Sequence, residues 1–255
     1  MENRFLLTPF FLDQPLPGLD LPAKPGWQIN HPSLPDGTKQ FRMSEIHRSI
    51  AAFAAETVSR GHRAVSIAGD CCTAIGVLAG LQRIRVHPTL IWFDAHGDFN
   101  TWETTPGGFL GGMPLAMIVG RGEQTMPNAL GLKPFPEERV YLTDARDLDP
   151  KEKVTLENSG IVHLKKVKDL LDAPLPEGPL YVHFDTDIVD PGDAPAMNYP
   201  APGGPSVAEL QGAFRSLART GRIAAVSLSS WNPMLDGAER SRKVCMTLLD
   251  DLLDQ

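Results

Sequence analysis

The apolar positions of this chain come in short unbroken runs rather than in alternation with polar ones. Strands are predicted near 4–11 ("RFLLTPFF"), 64–69 ("AVSIAG"), 89–95 ("TLIWFDA"), 140–144 ("VYLTD"), 161–164 ("IVHL"), 180–185 ("LYVHFD") and 224–230 ("AAVSLSS"). Strands that are apolar at successive positions are covered on both faces, which calls for helices above and below. Amphipathic spacing predicts those helices over 43–60, 73–83, 112–120, 150–158, 206–219 and 238–254. The βα rhythm therefore predicts an α/β fold, a single domain over 1–255 with an open, mainly parallel sheet wound on both sides. The Pro- and Gly-rich stretch 12–42 reads as a long ordered loop or lid, and 190–206 has the same flavour.

Open parallel sheets bind ligands beyond the carboxyl ends of their strands, so polar residues that close an apolar run carry the chemistry. In "LIWFDAHGDFN", Asp94, His96 and Asp98 occupy every second position, and an extended segment presents these on one face. "LYVHFDTD" repeats the device with Asp185 and Asp187, and with His183 two residues earlier. Were these strands neighbours, four carboxylates and one or two imidazoles would share a crevice. Crowded carboxylates raise one another's pKa and cannot all ionise without cations. Four Asp with His can hold two divalent ions through bridging carboxylates, and an oxygen-rich set suits Mn²⁺ better than tetrahedral zinc. A pair of such ions generates a hydroxide nucleophile at neutral pH. A single D-x-D would be read as a loop cap; two of them beside D-A-H-x-D point to metal.

A third segment, "SIAGDCCTAIGVLAG" (66–80), brings Asp70 and Cys71 to the same sheet edge. Cys71 is open to two readings, an inert small hydrophobe or a thiolate ligand. His183 reads as a satisfied core or supporting histidine before a ligand. His31, in the Pro-rich loop, reads as solvent-exposed before a proton shuttle. Trp102 and Trp231 flank the site segments as expected pocket walls, and Cys72 and Cys245 are expected to pack.

Composition narrows the setting. A net charge of −7 over 255 residues argues against nucleic acid or an anionic membrane as the main partner. Three cysteines make no disulfide framework, and neither a basic-then-apolar leader nor a membrane-length apolar run is present. The expectation is a soluble, cytoplasmic protein.

Together the segments resemble the ureohydrolase (arginase and agmatinase) family. Its patterns G-G-D-H-S, D-A-H-x-D-x-N-T, R-D-x-D-P-x-E and S-x-D-x-D-x-x-D-P look like "AGDCC" (68–72), "DAHGDFNT" (94–101), "ARDLDPKE" (145–152) and "HFDTDIVDP" (183–191). Spacing agrees across roughly 65–235, including the Gly203–Gly204 pair and "WNP" at 231–233. The resemblance implies a three-layer sandwich with about eight strands, and hydrolysis of a guanidino C–N bond at a centre of two Mn²⁺. By position, Cys71, Asp94, Asp98 and Asp185 would bind one ion, and His96 and Asp187 the other, with Asp94 and Asp185 bridging. Asp98 and His96 would be the catalytic pair. Asn100 and Asp149 fall where the family holds the amino-acid end of the substrate, and Tyr199 and Ser230 at further substrate positions. The chain departs from the family where Cys71 and Gly111 replace histidines, Gly107 a serine, Tyr199 a threonine and Ser230 a glutamate. The sub-pattern "GDFNTWETT…GFLGGM" is similar to the branch acting on N(ω)-hydroxy-L-arginine, which releases hydroxyurea and ornithine. Two other readings stay open: a metal-holding relative with lost or altered catalysis, and a deacetylase-like hydrolase of related fold. A small guanidino molecule is the expected partner, and homo-oligomerisation is left open.

Overall fold

In the computed structural model, which describes residues 1–20, 22–229 and 231–254, the apolar runs lie side by side in one sheet. Its strands are β1 (Asn3–Thr8), β4 (Gln28–Ile29), β5 (Arg63–Ala68), β6 (Thr89–His96), β7 (Val140–Asp147), β8 (Val162–Leu164), β9 (Leu180–Asp185) and β10 (Ile223–Ser229). A two-stranded hairpin of β2 (Phe10–Phe11) and β3 (Gln14–Pro15) stands apart. The eight strands run in the order β4-β1-β5-β10-β9-β6-β7-β8, and every pairing is parallel. The expected open α/β sheet is borne out. Parallel strands need both faces covered, and β5, β9 and β10 are buried at every residue.

Helices α1 (Lys39–Ser59), α2 (Ala74–Arg83), α3 (Pro114–Ile118), α4 (Thr125–Leu130) and α5 (Pro150–Glu157) contribute to the core on one face. Helices α6 (Val207–Arg219) and α7 (Ala238–Leu253) close the other. α6 shows how local chemistry feeds packing. Ser206 accepts from Glu209 N (3.3 Å) while Glu209 accepts from Ser206 N (2.9 Å), which fixes the first turn. That aims Leu210, Phe214 and Leu217 at the sheet, where Phe214 meets the rings of Phe93 and Phe184 edge-on, each at 4.9 Å. Full burial of one such side chain is worth roughly 1.5–3 kcal/mol.

The strand expected over 4–11 breaks after Thr8, because Pro9 has no N–H for the ladder. The helix expected from 43 begins at Lys39, with the Thr38 hydroxyl accepting from Phe41 N (3.3 Å). The helix expected over 112–120 is confined to Pro114–Ile118. Neither β4 nor α4 was expected. The stretch 12–42 is pinned at its start: Leu12 N donates to Asp70 Oδ2 (2.7 Å) and Arg42 pairs with Asp13 (3.0 Å). At the foot of the sheet the guanidinium of Arg63, fully buried, donates to the carbonyls of Ile223 (3.0 Å) and Leu253 (2.9 Å) and to Asn3 Oδ1 (3.0 Å). No described helix is long and apolar enough to cross a membrane.

Candidate metal centre and pocket

Strand order does most of the positioning. β9 lies against β6 with Phe93 opposite Phe184, so the condition is met and the two acidic runs come together at one sheet edge. β10 lies between β5 and β9, and Cys71, just beyond β5, reaches across it to the Asp185 carboxylate, 2.5 Å away. Strand alternation carries only part of the arrangement. Asp94 and His96 are in β6, but Asp98 has a left-handed φ of +50°, and Asp187 sits in the one-turn helix Thr186–Ile188. Asp98 and Asp187 therefore enter the crevice from turns, and the expectation of a continued strand face is corrected for both.

The turn bearing Asp98 is held from below. Glu152 Oε1 accepts from Phe99 N (2.8 Å) and Oε2 from Asp149 N (3.1 Å), lacing the loop to the start of α5. Gly97 makes room for this: a Cβ there would stand 2.6 Å from Glu152 Oε1 and 2.6 Å from Leu148 Cδ2. Burial pushes the Glu152 carboxyl up to about 7.

Two donor groups result. In one, ligand atoms of Cys71, Asp94, His183 and Asp185 all lie within 4.8 Å of one another; in the other, those of Asp94, His96 and Asp187 do. Asp94 belongs to both. His183 is thus brought into the cluster rather than left in the core. Its ring packs on Trp92 at 3.8 Å, its Nδ1 lies 2.7 Å from Ser227 Oγ, and burial pulls its pKa down to about 3, leaving the imidazole neutral.

The charges are crowded on one side of the ledger. Burial, then the charges of Asp94 and Asp185, push Asp98 well above its ordinary value, and burial with Asp187 and Asp94 does the same to Asp185. Asp187 is raised to about 6, chiefly by burial. For Asp94, burial opposes the charge, but hydrogen bonds from His96 and its positive charge hold the carboxyl down. His96 Nδ1 lies 3.1 Å from Asp187 and 3.4 Å from Asp94; burial lowers its pKa, but these carboxylates outweigh that and push it up to about 12. Arg146 reaches Asp187 only at its backbone carbonyl (3.3 Å), its charge being spent on Asp144. Asp98 Oδ2 is buried with no hydrogen-bond partner among the described residues. A lone carboxylate oxygen aimed into a nest of carboxylates, thiol and imidazole is the arrangement divalent cations satisfy. The donors fit such ions.

Above the cluster opens a cavity of about 270 Å³. Asn100 Nδ2 donates to Asp149 Oδ2 (2.9 Å) on one wall, and Tyr199 stands on another with its ring 4.9 Å from Phe109. Asn100, Asp149 and Tyr199 all line this pocket; Ser230 lies outside the described residues. The expected tryptophan walls are not there. Trp102 is exposed and bonds Glu123 (3.2 Å), while Trp231 is buried in the core under α7; Phe11, Phe109 and Tyr199 form the apolar wall instead. His31 is exposed and lines no part of the pocket, and Cys72 and Cys245 are packed away as expected. Gly111 acquires a physical reason: a Cβ there would stand 2.3 Å from Phe109 Cζ, so the phenyl ring fills the space a side chain at 111 would need. The signal for Phe109 in the sequence was the small residue two positions on.

Residues 25–254 match the sequence profile described as the Arginase family. Among curated proteins the chain is 34% identical over 199 residues to the arginase of Bacillus subtilis (strain 168), covering 73% of this chain and 67% of that one. It is 27% identical over 254 residues to the N(omega)-hydroxy-L-arginine amidinohydrolase of Streptomyces lavendulae, covering 98% and 85%. Among solved structures, the arginase from Bacillus cereus superposes with a TM-score of 0.86 at 26% identity, covering 100% of this chain and 99% of the other.

Proposed function

The chain belongs to the arginase family, and from that premise we propose that it is an amidinohydrolase cleaving the C–N bond of a guanidino amino acid, with N(ω)-hydroxy-L-arginine as the favoured substrate. The observation that carries this is the pair of donor groups sharing Asp94 beneath a pocket whose far wall is the Asn100–Asp149 pair. Two divalent ions, Mn²⁺ in at least the His96 group, would supply Lewis acidity and a water made nucleophilic near neutral pH. Asp94, His96 and Asp187 would hold one ion; Cys71, Asp98 and Asp185, again with Asp94, would hold the other.

The remaining work falls to the chain's own side chains. Asn100 and Asp149 orient the α-carboxylate and α-amino groups, so that the guanidino end points down at the carboxylates. The partnerless Asp98 Oδ2 takes the proton of the attacking water and delivers it to the departing amine; His96, neutral when it holds an ion, is fixed between Asp94 and Asp187. Water adds to the central carbon, the bond to the ornithine nitrogen breaks, and hydroxyurea and ornithine leave. Phe109, in the space a side chain at 111 would need, offers no acid to the departing ornithine amine, so that proton comes from Asp98. The same amine leaves from either substrate, and the preference for the hydroxyguanidine is supported by the whole-chain likeness to the Streptomyces lavendulae amidinohydrolase. A cytoplasmic setting suits the site, since none of the three cysteines is in a disulfide.

The test is direct. Protein loaded with Mn²⁺ is incubated with N(ω)-hydroxy-L-arginine, L-arginine and agmatine, and ornithine, urea and hydroxyurea are quantified. Hydroxyurea release faster than urea release is expected. Two bound ions with no product from any guanidino compound would establish the non-catalytic reading instead.

A further inference from the structure

We propose that His183 is itself a metal ligand, supplying from β9 an imidazole nitrogen to the ion that Cys71 binds. The inference deepens the hydrolase reading by naming the composition of one of its two sites.

Three features of the structure converge on it. The ring of His183 is fully buried, yet it lies at the cluster, with a nitrogen within 4.8 Å of the ligand atoms of Cys71, Asp94 and Asp185. Its two nitrogens have separate surroundings. Nδ1 is 2.7 Å from Ser227 Oγ, which is in turn 2.7 Å from the Tyr181 hydroxyl. Nε2 faces Ser229 Oγ at 3.3 Å, and that same hydroxyl is 3.3 Å from Cys71 Sγ. Nδ1 is thus placed to donate to a buried hydroxyl relay, and Nε2 is on the side of the ring that meets the hydroxyl shared with the thiol. Metal-bound histidines are held in this way: one nitrogen on the ion, the other donating to a fixed partner that sets tautomer and ring orientation. Third, the pocket that Cys71 and Asp185 line also holds a buried carboxylate oxygen without a hydrogen-bond partner, Asp98 Oδ2, which suits a group that accepts lone pairs rather than donates them.

The sequence agrees. "AGDCC" has cysteine at its fourth position where the matching pattern G-G-D-H-S has histidine, and "HFDTD" has histidine where S-x-D-x-D has serine. The two departures fall on side chains in one cluster. In this chain the imidazole stands on β9 and the cysteine side chain on the loop after β5. The consequence is an asymmetric centre. The group with His96 has one imidazole and two carboxylates, a hard set. The group with His183 combines thiolate, imidazole and carboxylate, which favours zinc, cobalt or iron(II) relative to Mn²⁺.

Cobalt reads this out without any turnover. The metal-free full chain is titrated with Co²⁺ while the thiolate-to-cobalt absorption band is followed, and proton NMR in water records the paramagnetically shifted imidazole N–H signals. The thiolate band is expected to fill with the first equivalent, and the fully loaded protein to show two shifted N–H signals. The signal of His183 should exchange slowly because its N–H is buried against Ser227. His183→Gln should remove that signal and weaken the first equivalent at least ~10-fold, while leaving the second within a few-fold. Ser227→Ala should keep the first site but speed exchange of the same proton. A wild-type protein with two cobalt ions and a single N–H signal overturns the proposal without any variant, as does a His183→Gln protein that binds the first ion as tightly as wild type. Hydrolysis is measured separately: a protein with both N–H signals and no guanidino turnover keeps His183 as a ligand and defeats only the substrate reading.

Discussion

Glu152 offers the sharpest test of how the Asp98 turn is held. It lines the pocket but belongs to neither donor group, and its two oxygens take the amides of Phe99 and Asp149, at 2.8 and 3.1 Å. In Glu152→Ala the Phe99 amide, in a fully buried residue, loses its acceptor, at about 1–3 kcal/mol. Asp149 is half-buried, and water can serve its amide, so that loss adds about 1 kcal/mol or less. The sum, about 1–4 kcal/mol, corresponds to a fall in Tm of roughly 2–16 °C for a domain of this size. Glu152→Gln keeps one acceptor oxygen and turns an NH₂ toward the other amide, and should be intermediate. The pH dependence carries its own sign. Because burial raises the folded-state pKa above the ordinary 4.5, to about 7, the acid contributes most stability below 4.5 and loses it as pH rises through 7. The gap between wild type and Glu152→Gln, measured by urea denaturation, should therefore narrow from pH 5 to pH 8. A Glu152→Ala protein within about 0.5 kcal/mol of wild type, as for an ordinary surface change, would show that the turn does not depend on this carboxylate.

Other outcomes follow from the same packing and charge. Gly111→His alone should cost about 1–3 kcal/mol, because its Cβ enters the Phe109 ring; a double-mutant cycle with Phe109→Ala should recover at least half, and strict additivity would refute the steric account. Exhaustive chelation should lower Tm, by an amount equivalent to about 4 kcal/mol if the ion had been present at a thousand times its Kd; an unchanged melt would refute the ion-binding reading. The stripped protein should be more stable at pH 5 than at pH 8: Asp98, Asp185 and Asp187 have raised folded pKa values, and that stability disappears as they are forced to ionise. His47 is buried far down toward a pKa of about 3, so acid works against the fold; between pH 6.5 and pH 4.5, wild type should lose about 1.4 kcal/mol per pH unit more than His47→Leu, and parallel curves would count against it.

The sheet was legible because parallel strands leave a record in composition, uninterrupted apolar runs that close on an acid. The adjacency of β6 and β9 was legible only as a condition, since nothing local states which strands pair. Asp98 and Asp187 both line the pocket, but alternation along a strand does not put them there: a left-handed residue and a single helical turn do the aiming, and neither alters the hydrophobic pattern. β4, two exposed residues at the sheet's edge, pairs through tertiary context alone. A histidine inside an apolar run reads as core, and His183 is fully buried; its position two residues before Asp185, on the same strand face, is the signal that it borders the donor group. Phe109 escaped notice because a residue that fills space vacated elsewhere carries no motif. Glu152 was visible in "ARDLDPKE" but without its task, which becomes plain only when the amide of Phe99 is seen to need an acceptor.

The Arg63 clamp stands at the opposite end of the very strand that leads to Asp70 and Cys71. β5 is six residues long, so roughly 20 Å of stiff ladder separates guanidinium from thiol. Changes that distant combine independently. Thermal resistance can accordingly be dialled at the base of this molecule, through Arg63 and the carbonyls it grips, while ion affinity at the rim keeps its native setting.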